Sequence, residues 1–154
     1  MIGSLKLMVI PAITALAIFA AAEAALAQDT RQHVTAGAVD IYYGFLPAEV
    51  AGRRTAAHDA APMHGRARKG DYHLMVAVYD KGGERITDAD VRATVGELGM
   101  AGARKPLEPM RIGDTITFGN YFSMRSPAQY RIAIEIRLPR VAKPIEARFD
   151  YDHR

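Results

Sequence analysis

The most informative absence in this sequence is cysteine, which occurs nowhere in its 154 residues. No disulfide can form, no lipid can be attached to a lipobox thiol, and neither a thiolate nucleophile nor the thiolate ligand of a blue-copper site exists. Serine is nearly absent as well, since only Ser123 and Ser126 follow residue 27, and neither lies in the glycine-flanked turn of an activated serine. The sequence therefore offers no nucleophile of the cysteine or serine type.

Other signatures of catalysis are missing too. The chain has no glycine-rich phosphate loop opening a helix and no zinc-type spacing of ligands. Asp88 and Asp90 form a carboxylate pair, but the pattern places both on the outer side of a strand near a turn, where acids normally face solvent. We therefore predict that the protein is not an enzyme.

The first 27 residues have the pattern of a cleaved secretion signal. Lys6 precedes an apolar run over residues 7–22, and Ala-Leu-Ala at 25–27 is a small-x-small cleavage site. Pro11 and the shortness of the run favour cleavage over a retained transmembrane helix. We expect a protein of the bacterial periplasm that has no integral membrane span in its mature form.

After residue 36, apolar and polar residues alternate in short runs separated by glycine and proline, as in strands with one buried face. This pattern predicts an all-β, antiparallel, immunoglobulin-like sandwich with no helix after the signal, and a small closed barrel is the alternative architecture. Residues 28–36 are predicted to be a flexible N-terminus, and residues 37–154 a single domain. The seven predicted strands cover residues 37–46, 71–79, 88–97, 105–112, 115–123, 130–138 and 145–151.

The segment from 52 to 70 is too long for an ordinary connection, and such loops are usually functional or disordered. It holds five basic residues and one acidic residue, so its formal charge is +4 and the rest of the domain is close to neutral. Such a loop suits an anionic partner or the acidic face of a membrane or periplasmic protein complex, although it is more often typical of a solvated loop. Nucleic acid is not expected as a partner, because an exported protein does not meet it.

Two segments resemble the YtkA-like and FixH-like periplasmic domains. Residues 83–91 (GERITDADV) are similar to the strand of those domains that has a glycine, an apolar residue and then Asp-Ala-x-Val, and residues 130–134 (YRIAI) to their later Tyr-apolar-x-apolar strand. The resemblance covers roughly residues 71–152. It implies an immunoglobulin-like sandwich and an association with copper handling or with the assembly of membrane oxidases.

The predicted central strand, residues 71–79, carries the one grouping that suggests chemistry. Side chains alternate between faces along a strand, so Leu74, Val76 and Val78 form a core stripe with Tyr72. His73 and Met75 then share the opposite, solvent-facing surface. An imidazole and a thioether two residues apart can chelate one metal ion without any backbone rearrangement.

Three more residues complete the predicted site. Met63 and His64, in the long loop, are predicted to close over the His73–Met75 pair, and Met110 is a fifth candidate, whereas Met124 continues an apolar stripe and is predicted to be core. Thioether and imidazole ligands suit Cu(I). The sequence therefore predicts a non-enzymatic periplasmic protein of copper-chaperone type that binds Cu(I). The alternative is a metal-free interaction module whose 52–70 loop contacts an anionic or membrane-complex partner.

Overall fold

The computed structural model describes residues 32–55 and 68–154. The predicted signal, Met63 and His64 lie outside the described residues. Nine strands and one helix are present in the described part of the chain. They are β1 (His33–Ala36), β2 (Val39–Pro47), α1 (Ala48–Thr55), β3 (Asp71–Asp80), β4 (Arg85–Ile86), β5 (Asp90–Glu97), β6 (Ala103–Ile112), β7 (Thr115–Ser123), β8 (Ala128–Arg137) and β9 (Ile145–His153).

The strands follow one antiparallel path, in the order β1-β2-β3-β7-β6-β5-β8-β9, and β4 adds a short pairing to β3. Strand β6 is shared by two halves of the fold: residues 103–107 pair with β5, and residues 108–112 pair with β7. We call one half A, which consists of β1, β2, β3, β7 and the end of β6. We call the other half B, which consists of β5, β8, β9 and the start of β6. The predicted all-β antiparallel class is confirmed.

The two halves pack their apolar faces against each other. Tyr43 of β2 stacks on Phe149 of β9 with ring centroids 4.2 Å apart, and Phe45 packs on Tyr151 at 4.6 Å. Strands β1 and β9, the two ends of the path, also contact each other, so the sandwich approaches the closed barrel of the alternative prediction. The fully buried centre consists of alternating residues from both halves, among them Ile41, Leu74, Val76, Val78, Phe118, Phe122, Ile132, Ile134 and Ile136.

Residues 80–83 (Asp-Lys-Gly-Gly) form a tight turn after β3, as this turn-favouring sequence predicts. Gly83 has a φ of 81°, in the left-handed region that favours glycine, and its N–H donates to the Asp80 carbonyl over 3.1 Å. The Asp80 carboxylate accepts from the N–H groups of Gly82 and Glu84 at 2.8 and 2.9 Å. This turn leads into β4 and so places Arg85 beside β3.

Two predictions about the first part of the domain are wrong. Residues 33–36 lie in the segment predicted to be flexible, yet they form β1, which pairs with β2. The sequence pattern predicts no helix after the signal and a long loop that begins at residue 52. Instead Ala48 starts α1, because Pro47 ends the strand and the buried side chains of Ala48 and Ala51 pack one helical turn apart. Within the described residues, no helix is long and apolar enough to cross a membrane.

Candidate metal centre

The candidate site lies on the outer face of half A, which is the face turned away from the core. Residues directly opposite each other on antiparallel strands point to the same face, so the strand register shows which side chains share it. Two successive rows of paired residues cross this face, Leu46–His73–Tyr121 and Gly44–Met75–Gly119–Glu108. A third row consists of two separate pairs, Tyr42–Ala77 and Thr117–Met110, which alternation along the strands places on the same face. The register therefore brings His73, Met75 and Met110 to one surface patch.

His73 is on the predicted face, but it is not exposed. Leu74, Val76 and Val78 are fully buried in the core, so the predicted alternation along β3 is confirmed. His73 points away from the core and is still only 6% exposed, with its Nε2 atom buried. The prediction of a solvent-facing imidazole is wrong, because β3 lies between β2 and β7 and both neighbours flank the ring.

Tyr121 is the aromatic neighbour of His73 on this face. It sits opposite His73 in the β3–β7 register, and the two ring centroids are 4.7 Å apart at an angle of 44°. Burial raises the pKa of the Tyr121 phenol, so the phenol stays neutral over the whole physiological range. The imidazole therefore has an apolar ring face on one side rather than a competing charge.

Gly119 is the residue over which Met110 and His73 converge. A β-carbon built at Gly119 would lie 2.6 Å from the Met110 methyl carbon and 2.9 Å from His73 Nε2. Those separations are too short for any real side chain, so both groups occupy the space that glycine leaves open. The Met110 methyl group of β6 and an imidazole nitrogen of β3 thus both approach the space above Gly119 in β7.

Met75 and Glu108 lie in the same row as Gly119. Met75 is half-buried between the two glycines Gly44 and Gly119, and Glu108 is half-buried on β6 opposite Gly119. Glu108 could not be predicted as part of the site, because a glutamate beside Pro109 carries no local sequence signal of a site. The glycine inside a strand was the available signal, since such a glycine often marks a close approach of other groups.

Arg85 supports the row that contains Met110. Its guanidinium donates to the Ile116 carbonyl at 2.9 Å, to the Tyr79 hydroxyl at 2.6 Å and to Thr117 Oγ1 at 2.8 Å. It also lies 5.0 Å from the centroid of the Tyr79 ring. These bonds fix β4 to β3 and to the stretch of β7 that pairs with Met110.

We expect the substitution Arg85→Lys to destabilise the protein, because an ammonium group cannot make three hydrogen bonds in this forked arrangement. The expected loss in the free energy of unfolding is about 1–3 kcal/mol, measured by urea denaturation. Arg131→Lys is the matched control. Arg131 is an exposed arginine on half B whose Nε lies 3.3 Å from Asp150 Oδ1, so this substitution should change stability little. Equal losses in the two variants would contradict the role assigned to Arg85.

The structure gathers three of the five predicted ligands, His73, Met75 and Met110, on one face, while Met63 and His64 lie outside the described residues. Among the residues described, no three His, Asp or Glu side chains cluster so as to hold a metal ion. A site here therefore depends on its two thioethers. Met124 is 1% exposed, which confirms its assignment to the core.

Two further histidines, which are not among the predicted ligands, lie in strands of the described chain. His33, in β1, stacks on Tyr42 with centroids 4.5 Å apart, and its Nε2 lies 3.3 Å from Asp40. His153, in β9, is buried against Tyr72, with centroids 4.5 Å apart. His33 is in β1, three strands from β7 in the sheet order, and His153 packs against Tyr72 on the core-facing side of β3, so neither shares the patch around Gly119.

No protein-family model matches the chain, and no curated protein sequence matches it. Several solved structures are similar to it. A copper-bound variant of FetP from uropathogenic Escherichia coli is 18% identical with a TM-score of 0.61, over 79% of this chain and 93% of FetP. Copper-reconstituted P19 from Campylobacter jejuni is 13% identical with a TM-score of 0.57, over 79% and 92%. A DUF4426 family protein from Pseudomonas aeruginosa is 17% identical with a TM-score of 0.54, over 79% and 96%.

The TM-scores show that these proteins share the fold of the chain. FetP has also been solved after expression in the periplasm of Escherichia coli. None of these neighbours bears the YtkA-like or FixH-like name, so the sequence resemblance is supported only as far as a β-rich fold. The chain has the fold of the FetP, P19 and DUF4426 structures, two of which were determined with copper bound.

Proposed function

We propose that the protein is an exported, non-enzymatic copper-binding protein that carries Cu(I) as its cargo in the periplasm. His73, Met75 and Met110 are the ligands in the described part of the chain, and Met63 and His64 are proposed to complete the site. The observation that carries this proposal is the convergence of the Met110 methyl carbon and His73 Nε2 over Gly119, which brings the side chains of two candidate ligands to one place. The copper-bound neighbours of the same fold support the metal, and the predicted signal over residues 1–27 supports the compartment.

The chemistry of these donors favours Cu(I) over divalent ions. Thioether sulfur and neutral imidazole are soft or borderline ligands and carry no charge. A buried site built from neutral ligands compensates a divalent ion poorly, since burying uncompensated charge is costly. A single positive charge is easier to accommodate, and the Glu108 carboxylate on the same face is the group placed to balance it.

The test is a Cu(I) titration of the mature protein against a competing chelator under anaerobic, reducing conditions. The double variant Met75→Leu, Met110→Leu keeps the side-chain volume and removes both sulfur atoms. We expect its Cu(I) affinity to fall by roughly 100-fold or more. Loss of a group that only hydrogen-bonds to a metal ligand typically costs 10- to 100-fold in affinity, and loss of two ligands should cost at least as much. Met100→Leu removes a sulfur from a residue that is 71% exposed, outside the site, and should leave affinity unchanged.

Equal, weak copper uptake by the wild type and the double variant would mean that the proposed site does not exist. The protein would then be better described as a metal-free interaction module. In that case, capture of a periplasmic or membrane-complex partner should be sensitive to salt. It should also be lost when Arg66, Arg68 and Lys69 are neutralised.

A further inference from the structure

Met75 lies between two glycines that differ in their surroundings. Gly44 of β2 is its cross-strand partner on one side, and Gly119 of β7 is its partner on the other. Over Gly119 the space is filled by Met110 and His73. Over Gly44, no heavy atom of the described residues lies within 4 Å of a β-carbon built there. The face is thus closed on the β7 side of Met75 and open on the β2 side.

The backbone does not explain the glycine at position 44. Gly44 does not have a positive φ. It lies inside a regular nine-residue strand whose register with β3 is unbroken. A β-branched residue would suit such a position better, since glycine weakens a strand. What glycine supplies here is a gap in the side-chain layer, flanked along β2 by Tyr42 and Leu46.

We propose that this gap over Gly44 is the access route to the Met75 thioether, and that Cu(I) is exchanged through it with a soft donor ligand of a partner copper carrier. The inference rests on the proposed function of the site. The incoming thioether, imidazole or thiolate bonds to the metal as the Met75 sulfur leaves. Copper stays Cu(I) throughout, so no electron is transferred and no oxidant is needed.

The other side of the site is not suited to this role. Over Gly119, the Met110 methyl group and the His73 ring already fill the space that an incoming donor would need. His73 itself is 6% exposed, so its nitrogen is approached only after neighbouring groups move. Met75 is therefore the ligand that an outside donor reaches first.

The route is tested first in the metal-free protein, by the rate at which dilute hydrogen peroxide converts each methionine to its sulfoxide, read by mass spectrometry. Oxidation follows exposure, so Met100 and Met124 serve as the fast and slow internal references. We expect Gly44→Val to slow oxidation of Met75 by about fivefold or more while leaving Met100 unchanged. Ala133→Val, a substitution on the outer face of half B, is the control and should not protect Met75.

The second arm measures copper. In Gly44→Val, Cu(I) withdrawal by a chelator should slow by about tenfold while the equilibrium affinity stays within the error of the wild type, since the ligands are intact. Unchanged oxidation of Met75 in Gly44→Val would overturn the access route. Protection of Met75 with an unchanged rate of copper withdrawal would overturn its use for exchange. If the wild type takes up no copper, the proposed function fails, and the oxidation rates still decide whether the gap leads to Met75.

Discussion

Phe118→Ala should lower the free energy of unfolding by about 3–5 kcal/mol, the largest loss of stability expected from a single substitution here. Phe118 is 1% exposed and lies opposite Val76 in the β3–β7 ladder. Removing the ring leaves a cavity between the two halves of the fold. A domain of this size is stable by only about 5–15 kcal/mol, and no disulfide holds this chain together.

Urea denaturation followed by circular dichroism measures this loss, and the fraction folded at 37 °C is expected to fall as well. Ile112→Ala is the control, because Ile112 is 49% exposed at the end of β6 in the same half. An exposed position should change stability by less than about 0.5 kcal/mol. A Phe118→Ala loss no larger than that of Ile112→Ala would show that the core does not lie where the structure places it.

Gly119→Ala should weaken Cu(I) binding at the proposed site and spare the fold. The new methyl group would lie 2.6 Å from the Met110 methyl carbon and 2.9 Å from His73 Nε2, so both ligand side chains must move. The Met110 chain is flexible and can swing away, whereas the imidazole is held against Tyr121. We expect Cu(I) affinity to drop roughly 10- to 100-fold, as when the groups that orient metal ligands are changed.

Chelator competition measures that affinity, and thermal unfolding of the metal-free protein reports on the fold. Gly44→Ala is the matched comparison: it makes the same change on the same face, beside the same Met75. Its new methyl group meets no heavy atom of the described residues within 4 Å, so the equilibrium affinity should stay as in the wild type. Equal affinity losses in the two variants would indicate that Gly119 has no special role in the site.

The last hairpin shows how much of this fold could be predicted from the sequence. In β8, Ile132, Ile134 and Ile136 are buried, and they alternate with polar residues as the pattern requires. Strand β6 was harder to predict because it contains Pro106 and Pro109. Each half of β6 is paired on one side only, so a proline nitrogen can face the unpaired side without losing a hydrogen bond.

The candidate site depends on information that periodicity does not contain. Alternation along one strand correctly placed His73 and Met75 on the same face. It could not show that Met110 and His73 converge over Gly119, because that arrangement needs β7 to lie between β3 and β6 in one particular register. For the same reason the burial of His73 was missed, since it depends on neighbours that are distant in sequence.

Because β6 belongs to both halves, Cu(I) binding at Met110 would affect the stability of the whole domain. A strand that belongs to both ladders prevents either half from opening alone, so the domain should melt in a single cooperative step, with the slowest amide hydrogen exchange along β6. Met110, on that strand, would then couple ion capture to global unfolding. Loading would raise the melting temperature of the entire domain by mass action, and resistance to periplasmic proteases would report occupancy.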